Sequence, residues 1–247
     1  MIASAECFSP RVDHVLAAAT AVEMIHTYSL IHDDLPAMDN DDLRRGLPSN
    51  HKQFDEATAI LAGDALMTYA YELIVRFTDR SKVDAATILT VIQELGQTTG
   101  IFGMVGGQMM DLYYEKHQAE AAESVVKEIH QRKTGALIRA SIRIGAMLMG
   151  ASQYQLDQLN CFANHLGLAF QIVDDILDLT GTTSELGKNP GSDLAKQKLT
   201  YPAVFGLEKS KSLAEEEKDL ALEALSQLNA DVHVLRELTE FIVNRKN

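Results

Sequence analysis

Cysteine and proline are scarce in this 247-residue chain, and basic side chains are outnumbered by acidic ones. Two cysteines cannot form a disulfide framework, which favours a reduced, cytoplasmic setting. Five prolines and no Pro/Gly/Ser-rich linker predict one continuous domain over residues 1–247. The formal net charge of −13 argues against nucleic acid and anionic membranes as partners. It does not argue against a phosphorylated substrate, because a bound cation can invert the local field.

Long uncharged apolar runs and a basic leader are missing as well. Residues 1–11 lack the positively charged start of a secretion signal. The most apolar early stretch, 15–22, is short and is followed at once by Glu23 and His26. Because a helix needs about 20 mostly apolar residues to cross a bilayer, we expect no membrane span.

What the chain does contain is a helical hydrophobic pattern. Apolar residues make up 46% of it, whereas alternating Val-rich runs bounded by tight turns are missing. We therefore predict an all-α bundle of roughly eight to ten helices. The predicted helices cover residues 12–30, 57–77, 83–95, 119–130, 134–149, 155–179 and 213–228. The predicted breaks fall at Pro36, 46–49, the Gly106-Gly107 pair, 181–190 and Pro202.

Two aspartate pairs close two of these helices. Around the later pair, polar residues recur at i, i+3, i+4 and i+7: Gln171, Asp174, Asp175 and Asp178. This spacing places them on one face of a helix whose other residues are apolar. Like charges at this spacing repel by a few tenths of a kcal/mol per pair, and a hard divalent cation would offset that repulsion. A solvated acidic face is the alternative.

The earlier cluster combines carboxylates with two arginines. Its members are Asp33, Asp34, Asp39, Arg44 and Arg45. Pro36 should end the helix just after the Asp pair, so that Asp39 comes from the loop beyond. Magnesium usually binds a few carboxylates while substrate phosphates complete its octahedron, and arginine binds phosphate oxygens in bidentate fashion. A charged surface loop is the alternative.

Together the two clusters resemble the two aspartate-rich motifs of the trans-prenyl diphosphate synthases. Asp33-Asp34 with Asp39 is similar to the wider bacterial form of the first motif, and Asp174-Asp175-Ile-Leu-Asp178 is similar to the second. Further segments that resemble the family are 23–33, 62–66, 106–112, 133–137 and Lys188. The resemblance implies an isoprenoid-synthase-type helical bundle around a central cavity, usually a homodimer. It also implies head-to-tail condensation of isopentenyl diphosphate with an allylic diphosphate, dimethylallyl or geranyl.

The resemblance assigns roles to individual residues. It implies three Mg²⁺ ions bound together with the diphosphate. The implied metal ligands are Asp33, Asp39, Asp174 and Asp178, with Asp34 assisting. The implied allylic diphosphate ligands are Arg44, Lys133, Lys188 and Lys198. The implied dipoles that face the developing cation are Thr134 and Gln171, and the implied isopentenyl diphosphate ligands are His26 and Arg45.

Several of these residues have plainer interpretations. His26 lies on the same helix face as Asp33 and, without the resemblance, would be a satisfied core histidine. Lys133-Thr134 alone would mark a helix start. Gln108 and Asp111, at i and i+3, are placed behind the ligands and could form a buried hydrogen-bonded pair. Gly106-Gly107 is a close helix contact or a break.

Tyr28 bears on product length. It lies five positions before Asp33, or ~7.5 Å deeper along the helix. In the family, residues just before the first motif form the floor of the elongation pocket, so a bulky tyrosine there should stop growth at fifteen carbons. We therefore expect farnesyl diphosphate. If Tyr28 is an ordinary core residue, geranylgeranyl diphosphate is the alternative product.

The chain also departs from the family pattern. The family's N-terminal segment of roughly 50 residues, with a Gly-Gly-Lys-x-x-Arg-Pro motif, has no counterpart here. The isopentenyl half of the site then keeps only His26 and Arg45. Three other functions remain as alternatives. The first is a class I terpene cyclase, which normally replaces the second motif with an Asn/Ser/Glu triad. The other two are a noncatalytic subunit of another synthase and a metal phosphohydrolase built on His32-Asp33.

Overall fold

The computed structural model describes residues 1–117, 123–181 and 198–245, and nearly all regular structure in these ranges is helical. The longer helices are α2 (Leu16–Asp33), α4 (Glu56–Phe77), α5 (Ala85–Thr99), α6 (Met104–Lys116), α7 (Glu123–His130), α8 (Ala136–Leu148), α9 (Gln153–Thr180), α11 (Leu207–Ser226) and α12 (His233–Asn244). The shorter elements are α1 (Ile2–Glu6), a 3₁₀ turn (Asp13–Val15), α3 (Asn50–Gln53) and α10 (Tyr201–Phe205). A π-helical turn, Gln131–Gly135, joins α7 to α8. The all-α prediction is confirmed.

A two-stranded hairpin is the only β structure among the described residues. Strand β1 (Leu43–Arg44) pairs antiparallel with β2 (Leu47–Pro48), so that Leu43 lies opposite Pro48. The two turn residues, Arg45 and Gly46, both have positive φ, 53° and 78°. Positive φ at both central positions is typical of the tight turns that match the twist of paired strands. The sequence analysis predicted only a break here.

Side-chain caps explain where several helices begin. Asp55 accepts a hydrogen bond from the backbone N–H of Thr58 at the start of α4. Asp84 does the same for α5, and Ser152 forms a reciprocal capping box with Gln155 at the start of α9. Each cap satisfies backbone donors that the first turn of a helix leaves unpaired.

The Gly106-Gly107 pair lies inside α6, so the predicted helix break at these glycines is wrong. A Cβ atom at Gly107 would lie 2.3 Å from the backbone nitrogen of Lys133. The glycine therefore lets α6 pack directly against the π-helical turn, which is the close helix contact that the sequence left open.

Helix α9 connects two of the three hydrophobic clusters. The first cluster lies between α2, α4, α5 and α8, with Ile25, Ile74 and Ile144 fully buried. The second joins α8, α9 and α11, and the third joins α7, α9 and α10. Since the two aspartate pairs lie at the ends of α2 and α9, these packed helices fix where the pairs stand.

Helix α4 is, by length and composition, the one candidate for a membrane span among the described helices. A single helix of this kind is weak evidence for a span, because helices of soluble proteins pass the same test. The expectation of no membrane span therefore stays a prediction.

Candidate active site

The first aspartate motif folds back on itself where α2 ends. Pro36 cannot continue the helix, and α2 stops at Asp33. The backbone N–H of Asp39 then donates to the carbonyl oxygen of Asp33 at 2.9 Å, and Asn40 follows with a left-handed φ of 52°. Burial and, to a smaller extent, the charge of Asp39 raise the pKa of Asp33, which indicates that the two carboxylates lie close together.

Three carboxylates and two lysines form what we call the front cluster: Asp33, Asp39, Asp111, Lys133 and Lys198. Lys133 Nζ lies 2.6 Å from Asp111 Oδ2 and 3.9 Å from Asp33 Oδ2. Lys198 Nζ lies 2.8 Å from Asp39 Oδ2 and 4.0 Å from Asp111 Oδ2. Burial disfavours the ammonium of Lys133, but Asp111 and Asp33 outweigh it and raise the pKa of Lys133. The protein thus supplies its own cations next to these carboxylates.

Helix α6 adds polar groups with unmet hydrogen-bonding capacity. Both amide atoms of Gln108 and Oε1 of Glu115 are buried without a hydrogen-bond partner among the described residues. Burial raises the pKa of Glu115, whose carboxylate also interacts with the charges of the front cluster. The alternative that Gln108 and Asp111 form a hydrogen-bonded pair is wrong, because neither amide atom of Gln108 has a hydrogen-bond partner in the described part of the chain, while Asp111 accepts from Lys133. Buried groups of this kind suit a site that receives a polar ligand.

Asp34 points away from the front cluster. Its side chain is 3% exposed and forms a bidentate ion pair with Arg44, whose Nε donates to Asp34 Oδ1 at 3.1 Å. Burial raises the pKa of Asp34 despite this partner, and the pair with Asp34 raises the pKa of Arg44 against the opposing effect of its own burial. Arg44 also lies 3.6 Å from Asp41. The ion pair anchors the hairpin to the end of α2.

His26 lies near the two arginines of the hairpin. Burial lowers its pKa; the charge of Glu23 opposes that effect, and the charges of Arg45 and Arg44 add to it. The charges of both arginines therefore act on the His26 imidazole. The imidazole is neutral near pH 7, so it would donate a hydrogen bond to an anion rather than a full charge.

The π-helical turn connects the two halves of the site. Lys133 belongs to the front cluster, and the next residue, Thr134, donates its hydroxyl proton to Gln171 Oε1 on α9 at 2.8 Å. The turn is held from two sides, since a Cβ at Gly107 would meet Lys133 and one at Gly167 would lie 3.0 Å from Gly135 Cα. Single π turns inside α-helices are frequent at functional sites.

The second aspartate motif is divided between solvent and core. Asp174 is 46% exposed in its side chain and lies 3.1 Å from an Arg245 nitrogen, while the Arg245 guanidinium stacks over Phe170 at 4.3 Å. Asp175 and Asp178 are buried. Neighbouring residues differ by about 100° around a helix, so Asp174 can point toward solvent while Asp175 points into the core.

The donors present fit magnesium as a partial ligand set. Among the residues that the structure describes, no three acidic, histidine or cysteine side chains surround a common point. Magnesium bound with phosphates usually takes one or two carboxylates and leaves the rest of its shell to phosphate oxygens and water. Asp33 and Asp39, whose charges act on each other, supply hard oxygen donors of this kind.

A comparison with protein families decides what kind of protein carries this site. A model of the Polyprenyl synthetase family matches residues 1–242. The chain belongs to the polyprenyl synthetase family. The predicted resemblance is thereby confirmed, and the chemistry of the family is the transfer of prenyl groups.

Relatives of this polyprenyl synthetase include enzymes with two product lengths. Farnesyl diphosphate synthase of Escherichia coli (strain K12) is 46% identical over 248 residues, which cover 98% of this chain and 82% of that protein. Geranylgeranyl diphosphate synthase of Cyanophora paradoxa is 44% identical over 246 residues, which cover 100% of this chain and 81% of that protein. The two are about equally similar, so they support a trans-prenyltransferase without deciding its product.

A solved structure supports the same fold. The crystal structure of geranyltransferase from Helicobacter pylori complexed with magnesium and isoprenyl diphosphate matches with a TM-score of 0.81 and 35% identity. The match covers 94% of this chain and 74% of that chain. The predicted isoprenoid-synthase-type bundle is confirmed.

The polyprenyl synthetase chain brings most of its predicted site residues together. Asp33, Asp39, Lys133 and Lys198 meet in the front cluster, and Thr134 meets Gln171. Asp174 lies on α9 beyond Gln171. Lys188 lies outside the described residues, and the functional roles of all these side chains stay predictions.

Two contacts of this site, one of them buried, were not predicted from the sequence. His130, the last residue of α7, lies 2.8 Å from Asp175. Arg245, far along the chain, pairs with Asp174. Neither partner is near its aspartate in sequence, so no spacing rule connects them. A lone histidine three residues before Lys133 was the only available signal for the first.

Proposed function

We propose that this polyprenyl synthetase condenses isopentenyl diphosphate with dimethylallyl and geranyl diphosphate and releases farnesyl diphosphate. The observation that supports this proposal best is the placement of Lys133 and Thr134. Lys133 lies in the front cluster, whose lysines suit a diphosphate, and Thr134 forms a neutral hydrogen-bonded pair with Gln171, which suits a carbocation. An allylic diphosphate needs both environments side by side, because its C–O bond separates an anion from a cation.

The front cluster and Asp174 are the proposed diphosphate end of the site. Asp33, Asp39 and Asp174 would hold magnesium, with Asp178 supporting this end of α9 from a buried position. When bound, magnesium would neutralise charge on the leaving diphosphate and so lower the barrier to C–O cleavage. Lys133 and Lys198 would donate directly to the diphosphate oxygens, and charge-assisted bonds of this type are about twice as strong as neutral ones.

Thr134 and Gln171 are the proposed neighbours of the reacting carbon. Thr134 donates its only hydroxyl proton to Gln171, which leaves the lone pairs of its oxygen for the positive charge that develops on the allylic carbon. Dipoles that are fixed before the reaction stabilise developing charge without having to reorient, and this is often the largest single contribution to catalysis.

His26 and Arg45 are proposed to bind isopentenyl diphosphate, with help from the hairpin. Arg44, on the same hairpin, is proposed to bind the allylic diphosphate instead: it uses Nε and one terminal nitrogen for Asp34, so its other terminal nitrogen remains for a phosphate oxygen. The double bond of isopentenyl diphosphate then forms a C–C bond to the allylic carbon as the C–O bond breaks. The departing diphosphate takes the proton lost from the adjacent carbon, so the step balances without a protein base.

Tyr28 is the proposed floor of the elongation pocket. It is 6% exposed, contacts the ring of His32 edge-on at 5.7 Å, and burial raises its pKa to about 12. A tyrosine held in the core cannot swing aside to admit a longer chain. Its position five residues before Asp33 supports a fifteen-carbon product rather than a twenty-carbon one.

A homodimer is also part of the proposal. Helices α4, α5 and α6 and the segment that leads into α6 leave large apolar side chains exposed on the single chain. They include Ile60, Leu61, Leu89, Ile101, Phe102, Val105 and Met109. Apolar surface of this extent on a soluble chain marks an interaction site, and a second copy would cover it. The cytoplasmic setting is proposed on the two free cysteines, Cys7 and Cys161.

A product assay tests the proposed function. Purified protein is incubated with Mg²⁺, isopentenyl diphosphate and radiolabelled geranyl diphosphate, and the products are resolved by chain length. A fifteen-carbon product is expected. A twenty-carbon product would keep the reaction class but contradict the role of Tyr28. Absence of any product with intact geranyl diphosphate binding would contradict the condensation itself and favour a noncatalytic subunit.

A further inference from the structure

Asp175 belongs to the second aspartate motif, but it is buried and accepts hydrogen bonds from three protein donors. It is 4% exposed. Its Oδ2 accepts from His130 Nε2 at 2.8 Å and from the backbone N–H of Tyr201 at 2.9 Å, and its Oδ1 accepts from Gln171 Nε2 at 3.1 Å. Since a metal ion would have to displace these donors, the carboxylate serves another purpose.

Asp175 controls the Thr134–Gln171 pair from both ends. It binds Gln171 directly. Through His130 it also fixes the last residue of α7, and the π-helical turn that carries Thr134 starts at the next residue. His130 is 6% exposed, and its ring lies 5.4 Å from that of Tyr201, so the histidine is held in place by packing as well.

The same carboxylate determines the direction of the hydrogen bonds. An ionised aspartate accepts and cannot donate, so Gln171 must turn its NH₂ group toward Asp175 and its oxygen toward Thr134. Thr134 must then donate its proton to Gln171. If Gln171 were reversed, its NH₂ group would face Thr134, and the hydroxyl proton of Thr134 would be free to point at the reacting carbon.

We infer that Asp175 and His130 form a positioning pair that sets the polarity of the Thr134–Gln171 hydrogen bond, so that oxygen lone pairs rather than a proton face the allylic cation. This inference rests on the proposed function. Neither residue touches substrate: both act through Gln171 and Thr134. A reversed dipole beside a developing charge opposes it, so loss of the pair should slow the chemical step and leave ligand binding intact.

Asp175→Asn tests the inference, because asparagine has the same shape but can donate toward Gln171 Oε1. We expect the single-turnover rate of condensation to fall about 100-fold, which is typical for the loss of one fixed dipole at a reacting centre. The dissociation constants for Mn²⁺ and for geranyl S-thiolodiphosphate should change less than about 2-fold, because Asp175 is not a ligand. His130→Leu should slow the step as well, whereas His130→Gln, whose amide nitrogen can replace Nε2 as donor, should recover most of the rate.

A matched control is available on the same helix. His165 on α9 pairs with Glu217 on α11 at 2.6 Å, which is a second histidine–carboxylate contact and is less buried than the first. Glu217 also lies 3.8 Å from Lys127 Nζ on α7, but its hydrogen bond goes to His165 and not to Asp175, His130, Gln171 or Thr134. Glu217→Gln should lower the melting temperature and leave the single-turnover rate unchanged. Equal rate losses in Glu217→Gln and Asp175→Asn would overturn the inference, as would weaker Mn²⁺ binding in Asp175→Asn in proportion to its lost rate.

A structural readout keeps the inference separate from the proposed function. Neutron diffraction from perdeuterated wild-type protein would locate the deuterons of Gln171 and Thr134. Deuterons on Gln171 directed at Asp175, with the Thr134 deuteron directed at Gln171, are expected even if the wild-type protein condenses nothing. The opposite orientation would overturn the inference whatever the activity.

Discussion

Replacing Gly107 by alanine should separate the two halves of the site. The added Cβ would lie 2.3 Å from the backbone nitrogen of Lys133, about 1 Å short of the closest ordinary contact at 3.4 Å. The obstacle is backbone on both sides, so neither group can rotate away. Either α6, with Asp111, or the π-helical turn, with Lys133 and Thr134, must move by a comparable distance.

The expected cost follows from two opposing contributions. Overpacking a core by a methyl group typically costs about 1–3 kcal/mol, while alanine in a helix interior is about 0.5–1 kcal/mol better than glycine. The net destabilisation of Gly107→Ala is therefore about 0–2.5 kcal/mol. The effect on rate should be larger, because a 1 Å misplacement of positioning groups can cost about 100-fold.

Gly96→Ala is the matched control for this variant. Gly96 lies inside α5, and a Cβ there would come only within 3.9 Å of the Tyr71 hydroxyl, an ordinary contact. This variant should gain about 0.5–1 kcal/mol and keep its rate. Denaturant unfolding and single-turnover condensation would be measured for both variants. If Gly107→Ala matched Gly96→Ala in both assays, the close packing of α6 on the π-helical turn would be refuted.

Three further predictions concern metal binding, product length and pH. Asp174→Asn should weaken Mg²⁺-dependent binding of geranyl diphosphate at least about 10-fold in calorimetry, because the variant loses a charged metal ligand; unchanged affinity would contradict the metal role. Tyr28→Ala should shift the products of an extended incubation from fifteen to twenty carbons or more, at a stability cost of about 3 kcal/mol. The control Tyr154→Ala, at an exposed tyrosine, should change neither product length nor stability. A fifteen-carbon product from Tyr28→Ala would show that Tyr28 is not the floor of the pocket. Burial lowers the pKa of His26 below its unfolded value of 6.5. The stability that comes from burying the neutral imidazole is therefore present above pH 6.5 and is lost as the pH falls through the pKa of the folded protein. An NMR titration of His26 in the ligand-free protein should show a midpoint below 6.5, and a midpoint at or above 6.5 would contradict its burial.

The sequence allowed most of the longer helices and both aspartate motifs to be predicted, because these depend on local patterns, but α6 and α12 were not among the predicted helices. The end of α2 at Asp33 follows from Pro36, and the helical spacing around Asp174 places it at the end of a long buried helix. Both depend on residues within one or two turns of each other, which is the range over which sequence periodicity carries information.

Contacts between distant segments could not be predicted in the same way. The hairpin over 43–48 depends on a left-handed Arg45, which propensity disfavours. Asp174 is partly exposed and Asp175 is buried because the neighbouring helices cover only one side of α9. His130 and Arg245 meet their aspartates only because α7 and α12 pack beside α9.

The π-helical turn is a further example. A sequence that runs Gln-Arg-Lys-Thr-Gly reads as a helix start, yet the chain passes through it without leaving the helix. The extra residue in this turn is accommodated because Gly107 and Gly167 leave room on the adjoining helices. Only the packed structure reveals that combination.

The central claim is that the two aspartate motifs bind one allylic diphosphate between them through divalent metal ions. A crystal structure with Mn²⁺ and geranyl S-thiolodiphosphate, with anomalous data collected at the manganese edge, tests it most directly. The account predicts manganese peaks coordinated by Asp33 and Asp39 on one side and by Asp174 on the other, with Lys133 on the diphosphate and Arg245 displaced from Asp174. Manganese or diphosphate bound elsewhere, with the Arg245–Asp174 pair intact, would contradict it.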